Sequence, residues 1–171
     1  NVLNCFCYTG GFSVYALAAG AKSIVNVDSS ESALNIAKEN VKINNFNDNK
    51  VKYICIDAKK YLKNAVEESK NFDLVILDPP AFIKDRNKKK EGISGYKFIN
   101  EKGMQLVNNK GILVTCSCSV YLSMQDFRYL LSESGAKTRK PFAVLEEFFH
   151  GIDHPSLLPF TEGEYLKCIV L

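Results

Sequence analysis

The chain has 171 residues, 46% of them apolar and 24% charged, the balance of a soluble globular protein with one domain-sized core. Its six cysteines are too few for a disulfide scaffold, and no apolar run reaches the roughly 18–20 residues that cross a bilayer. Those counts exclude disulfide-stapled and helical membrane classes, and they lead to the expectation of reduced thiols, a cytoplasmic location and no membrane partner. The net charge of +3 is gathered in one place: between residues 84 and 102, Lys84, Arg86, Lys88, Lys89, Lys90, Lys97 and Lys102 face only Asp85, Glu91 and Glu101.

The chain starts at Asn1 and enters an apolar run at once, so it reads as a fragment whose preceding part is absent. Residues 2–6 are expected to be a strand. In "NCFCYTGGFSVYALAAGA" that strand ends in a turn holding Thr9, Gly10 and Gly11, and a helix follows over 12–19. Glycines at such a turn let a ligand approach the backbone and meet the helix N-terminus. The spacing is not G-x-G-x-x-G, which disfavours a dinucleotide site.

A second strand over 24–27 is closed by Asp28 in "IVNVDSSESAL", before a helix over 30–44. An acid at that place in a doubly wound sheet accepts hydrogen bonds from ribose hydroxyls, and Ser29 or Ser30 caps the helix. A third strand, 51–56, is closed by Asp57, with a helix over 58–68. Ligands of open α/β sheets bind outside the carboxyl ends of the strands. Asp28, Asp57 and the glycine turn converge there, which points to a nucleoside-bearing cofactor.

The fourth strand, 72–77, runs into "VILDPPAF". Pro79 and Pro80 fix the backbone after Asp78, so its carboxylate and the Phe82 ring take defined places. An acid and an aromatic together suit a flat heterocycle, bound at its edge and stacked on its face. The basic stretch comes next and is expected to be a loop, densest at Lys88, Lys89 and Lys90. It either attracts a polyanion or is ordinary solvated surface.

A helix over 96–107 leads to a fifth strand, 111–115, that breaks into "TCSCS". The C-x-C pairs Cys5/Cys7 and Cys116/Cys118 have the wrong spacing for zinc and no histidine beside them, so no metal is expected. Buried packing suffices for Cys5, Cys55 and Cys168. It explains so small and polar a run as Thr115 to Ser119 less well, and a cysteine at a strand end beside a carboxylate-bearing loop is a candidate nucleophile. A helix over 124–134 and two strand-like runs, 142–149 and 165–171, complete the chain. The last two are expected to pair as an antiparallel hairpin at the sheet edge. The alternation of strands and helices calls for an α/β, doubly wound, mostly parallel sheet of seven strands with an antiparallel C-terminal hairpin.

The ordered set "NCFCYTGGFSVYALAAGA", "VDSSESALNIAKEN", "DPPAF", "VTCSCS" and "DHPSLLPFTEGEYLKCIVL" resembles the catalytic domain of the S-adenosylmethionine-dependent 23S ribosomal RNA 5-methylcytosine methyltransferases, over essentially the whole chain. The resemblance implies a Rossmann-like class I methyltransferase fold across residues 1–171, preceded in that family by a PUA-type RNA-binding module. It implies that Tyr8, Thr9, Gly10 and Gly11 hold the methionine part of S-adenosylmethionine, that Asp28 binds its ribose, and that Asp57 and Ala58 meet its adenine. It makes Cys118 the nucleophile and sets Asp78 between the cofactor and the cytosine edge. Pro79, Pro80 and Phe82 would then border the base, while Lys88, Lys89 and Lys90 would meet phosphates of large-subunit ribosomal RNA.

One departure stands out. Many RNA 5-methylcytosine enzymes carry a second cysteine directly after the proline of this motif, and here Pro80 or Ala81 holds that place. Two rivals remain: an amino-group methyltransferase working through DPPAF without a thiol, and a non-catalytic RNA-binding module. A homodimer is compatible with either activity.

Overall fold

The computed structural model describes residues 1–160 and 163–171; Thr161 and Glu162 of the "FTEGEYLK" tail lie outside the described residues. Strands β1 (Val2–Cys5), β2 (Ile24–Asp28), β3 (Val51–Cys55) and β4 (Phe72–Leu77) alternate with helices α1 (Gly11–Ala18), α2 (Glu31–Ile43) and α3 (Ala58–Glu67). Helix α4 (Lys89–Leu106), strand β5 (Val107–Ser117), helix α5 (Met124–Thr138) and strands β6 (Glu146–Phe148) and β7 (Lys167–Val170) follow. One seven-stranded sheet results, in the order β3-β2-β1-β4-β5-β7-β6. Neighbours among β1 to β5 run parallel, and β7 is antiparallel to both β5 and β6. The expected α/β doubly wound architecture is therefore present.

Local chemistry accounts for the element starts. Ser30 caps α2 by accepting from the Ala33 amide, Asp57 caps α3 by accepting from Lys60, and Ser123 caps α5 by accepting from Asp126, each supplying an acceptor to an otherwise orphaned helix N–H. The central strand β1 is buried throughout, as a strand covered on both faces must be. Its Asn4 donates to Ser13 of α1, which donates in turn to Asn26 of β2, so a buried polar chain ties α1 to the sheet.

Two expectations need correction. The basic stretch is a loop only as far as Lys88; from Lys89 it is helix α4, which begins seven residues ahead of the expected start at Tyr96. Gly92 and Gly95 hide that helical turn in the sequence, because glycine is a poor helix former. Both are needed for packing: a Cβ on Gly92 would collide with the Ile83 side chain and lie 2.8 Å from the Phe82 carbonyl oxygen, and one on Gly95 would lie 3.1 Å from the Phe82 ring. Next, β5 does not stop at Thr115. It continues to Ser117 because β7 pairs with it there, Cys116 opposite Cys168 and Ser117 opposite Lys167. The C-terminal strands pair antiparallel at the sheet edge, as expected, with β7 inside β6. The buried Ile169 and Leu171 draw the chain terminus into the core, leaving the more exposed β6 at the edge.

Candidate active site

The turn after β1 is braced rather than loose. Phe6 and Tyr8 both adopt left-handed backbone angles, φ 59 and φ 47, a conformation that costs a side-chain-bearing residue about 1 kcal/mol or more. Bonds to β2 and α2 hold it in place. The Cys7 amide donates to the Val27 carbonyl at 3.1 Å, the Tyr8 amide to the Asp28 carboxylate at 2.9 Å, and the Asn40 side chain to the Thr9 carbonyl at 2.9 Å. Gly10 is the left-handed N-cap of α1, and a Cβ there would meet that of Ala37 at 2.9 Å. Gly10 therefore serves close packing on α2, while Gly11 faces open space, with nothing within 4 Å of where a Cβ would stand.

Beside this turn lies a cleft of about 460 Å³, within the range of small-molecule sites. Asp28, Asp57 and Asp78, each at the carboxyl end of its strand, reach it together with Tyr8, Ala58, Pro80 and Phe82. Ser29, Phe6 and Lys59 complete its wall. Asp28 spends one lone pair per oxygen on the Tyr8 and Ser30 amides, and each oxygen keeps another for a ligand hydroxyl. Acid groups at the rim and apolar walls at Phe6, Ala58, Pro80 and Phe82 fit a nucleoside: hydroxyls to the carboxylates, the flat base between the walls. Thr9, Gly10 and Gly11 do not line this cleft. Lys59, which the sequence did not single out, holds its ammonium 4.6 Å from the Phe82 ring centre.

Phe82 is itself packed, 4.8 Å from Tyr96 and 6.2 Å from Phe6 between ring centres, so it is a wall of the cleft more than a free stacking platform. The Asp78 carboxyl makes no hydrogen bond with the described residues. Its outer surface is open to the cleft, yet the sheet end beneath it strips away enough water to push its pKa above the usual carboxylate range.

On the far side of Asp78, the Cys118 thiol lies 3.8 Å from the Pro79 carbonyl oxygen. Ser117 and Ser119, on either side of it, turn to the Tyr96 hydroxyl, each at 2.9 Å. Ser119 also accepts from the Ile83 amide at 3.1 Å, so the run of small polar residues is a clasp between β5, α4 and the DPPAF loop. Burial raises the Cys118 thiol above its ordinary value and the Asp78 charge raises it further, whereas Lys167 pulls it down. Cys116 is buried against Cys168 across the β5–β7 pair, and that contact together with burial keeps it protonated. Lys88 ends a short 3-10 turn capped by Asp85, Lys89 is 3.2 Å from Asp126, and Lys90 is exposed at the start of α4. None of the three lines the cleft.

Two larger grooves, about 660 and 590 Å³, run beside residues 139–145. Neither is lined by an acidic side chain or a cysteine, unlike the cleft with its three aspartates and the neighbouring Cys118. Among the described residues no helix is long and apolar enough to cross a membrane.

A seven-stranded sheet in this order, with carboxylates at three strand ends around one nucleoside-sized cleft, fits a methyltransferase that uses S-adenosylmethionine. The family model of S-adenosylmethionine-dependent methyltransferases matches residues 1–159, and the chain belongs to that family. It is 41% identical over 171 residues to the ribosomal RNA large subunit methyltransferase I of Tolumonas auensis, and 42% identical over 170 residues to that of Shewanella frigidimarina. It spans 43% of the length of each, and those matches cover 100% and 99% of this chain. The crystal structure of SMU.776 complexed with SAH shares the fold, with a TM-score of 0.86 at 22% identity over 99% of this chain and 44% of that one.

Proposed function

We propose that this chain is the catalytic part of an enzyme that methylates C5 of a cytosine in large-subunit ribosomal RNA. The substrate class is supported by the two relatives, which are ribosomal RNA large subunit methyltransferases. The position of attack is supported above all by one observation: the Cys118 thiol faces the Pro79 carbonyl, on the loop that begins with Asp78.

Cytosine C5 is too weak a nucleophile to take a methyl group unaided. Once the Cys118 proton has left to solvent, the thiolate adds to C6 and the electron pair of the C5–C6 bond becomes available at C5. Burial raises the Asp78 pKa and so favours its protonated form, and in that form the carboxyl donates to N3 and stabilises the adduct. S-adenosylmethionine supplies the electrophilic methyl group. A base then removes the C5 proton, the C5=C6 double bond re-forms, and the thiolate leaves with its electron pair. Tyr8, Asp28, Asp57 and Ala58 border the space for the cofactor, with Gly11 leaving its approach open; Thr9 and Gly10 shape the turn from behind. Pro79, Pro80 and Phe82 border the base. A preceding RNA-binding module would present the RNA, with Lys88, Lys89 and Lys90 at its phosphates.

RNA in which the target cytosine is replaced by 5-fluorocytosine tests this reading, because fluorine at C5 blocks the elimination. A protein–RNA complex that survives denaturation, absent in Cys118→Ala, is the expected result. Methylated RNA whose nucleosides contain N4-methylcytidine instead would establish the amino-group rival, and failure to bind S-adenosylmethionine would establish the non-catalytic one.

A further inference from the structure

Lys167 is a buried lysine with no acidic partner among the described residues. The residue is 3% exposed, and its ammonium donates to the Ser119 carbonyl oxygen at 3.0 Å. Among the described residues no carboxylate lies within ion-pair distance of it. An ammonium carries three donors, and a buried charge without a counter-ion is costly enough that proteins rarely keep one. Among the described residues a single carbonyl dipole is the acceptor provided.

The location narrows what else could balance the charge. Lys167 stands opposite Ser117 in the β5–β7 register, and its hydrogen bond lands on Ser119. It therefore grips the residues on both sides of Cys118. The ionisable groups that bear on Cys118 are Asp78 from the β4 loop, Tyr96 from α4, Cys116 from its own strand and Lys167 from β7. Lys167 is the one cation among them. We propose that Lys167 is a positioning residue, the counter-ion that holds the Cys118 thiolate at the strand end while the ionised sulfur completes the ammonium's own coordination. Desolvation lowers the Lys167 pKa and the Cys118 charge raises it, the reciprocity an ion pair requires. In forming the pair the S–H bond breaks, its proton goes to solvent water, the electron pair stays on sulfur, and the lysine keeps its own proton.

The inference deepens the adduct reading and can fail separately from it. In the intact protein, iodoacetamide alkylation of the Cys118 peptide is followed by mass spectrometry against pH, without RNA or methyl transfer. Lys167→Met is expected to move the midpoint up by about 1 pH unit or more, which is roughly tenfold slower alkylation at a fixed pH below it; Lys167→Arg is expected to restore most of the rate. An unchanged midpoint in folded Lys167→Met overturns the proposal. Should that variant not fold, the reciprocal measurement decides: in Cys118→Ala, nuclear magnetic resonance titration of the Lys167 ammonium is expected to show a lower pKa than in the unsubstituted protein, and an equal value overturns the pair. Shifted midpoints alongside full methyl transfer by Cys118→Ala would support the ion pair and remove the adduct.

Discussion

The Cys118 sulfur lies 3.8 Å from the Pro79 carbonyl oxygen, so the end of β5 touches the loop that leaves β4. The cofactor cleft is walled by the turns after β1 to β4 and does not include Cys118. In the proposed mechanism, binding and attack are thereby separated in space. Cys118→Ala is expected to cut methyl transfer to RNA on the order of 10³-fold or more while S-adenosylmethionine affinity, read by calorimetry, stays within a few-fold. Full activity in this variant would sink the thiolate mechanism.

Tyr96 is the hub of the clasp around that cysteine. Its hydroxyl is fully buried and meets Ser117, Ser119 and the Phe82 amide. Tyr96→Phe removes an atom that three groups share, at a cost of about 1–3 kcal/mol, which thermal unfolding would register as a melting point several degrees lower. Because the clasp sets the distance between the β5 end and the DPPAF loop, kcat is expected to fall more than the KM for S-adenosylmethionine rises. A stable variant with unchanged kcat would show that the clasp is dispensable.

What could be read from the sequence divides along physical lines. Strands buried on both faces make largely apolar runs, so β1, β2 and β4 were legible, and the edge strand β3 was legible from its shorter apolar stretch despite its partial exposure; the acids closing them, Asp28, Asp57 and Asp78, could be read with them. Helix α4 was half hidden, since Gly92 and Gly95 look like loop until Phe82 and Ile83 are seen packed on them; glycines three apart ahead of an apolar helical pattern were the available signal. The clasp could not be read at all. Tyr96 lies 21 residues from Ser117 and is joined to it by the packing of α4 on β5, and Lys167 lies 48 from Ser119 and is joined to it by the insertion of β7 beside β5. Ser117 and Ser119 of that small polar run are buried because those distant partners satisfy them, whereas the buried Thr115 hydroxyl has no partner among the described residues.

The two α4 glycines should respond differently to the same change. Alanine normally favours a helix interior over glycine by about 0.5–1 kcal/mol. At Gly92 the added Cβ meets the Phe82 backbone at 2.8 Å, which cannot yield without moving the DPPAF loop. Gly92→Ala is therefore expected to destabilise by about 1–3 kcal/mol and to lower activity with it. At Gly95 the nearest atom belongs to the Phe82 ring, at 3.1 Å, so Gly95→Ala should cost less. Equal melting temperatures for the two variants would contradict this ranking.

The three consecutive lysines are not equivalent. Lys89 already faces Asp126 at 3.2 Å, whereas Lys88 and Lys90 are exposed and have no ion-pair partner among the described residues. If the stretch contacts phosphates, Lys88→Gln and Lys90→Gln should each lower the slope of log affinity against log salt by about 0.7, the value for one single-strand phosphate contact, with a smaller change for Lys89→Gln. Unchanged slopes across a salt titration of RNA binding would return the segment to ordinary surface.

Asp78→Asn separates the electrostatic and chemical roles of the carboxyl. Ionised Asp78 opposes the Cys118 thiolate, so its removal should shift the alkylation midpoint of Cys118 to lower pH, although burial, the larger cause, remains. The sign for stability follows from the raised Asp78 pKa: the folded state binds this proton more tightly than the unfolded chain, so the group's favourable contribution is complete below the ordinary carboxylate pKa of about 4 and is lost as pH rises through the folded value. Relative to the unsubstituted protein, Asp78→Asn should gain stability near pH 7 and lose that advantage on acidification below about pH 4. Methyl transfer should still fall by about 10²-fold or more, since a general acid–base partner is gone. A faster-alkylating, more stable and nearly inactive variant is the expected combination, and full activity at neutral pH would remove Asp78 from the chemistry.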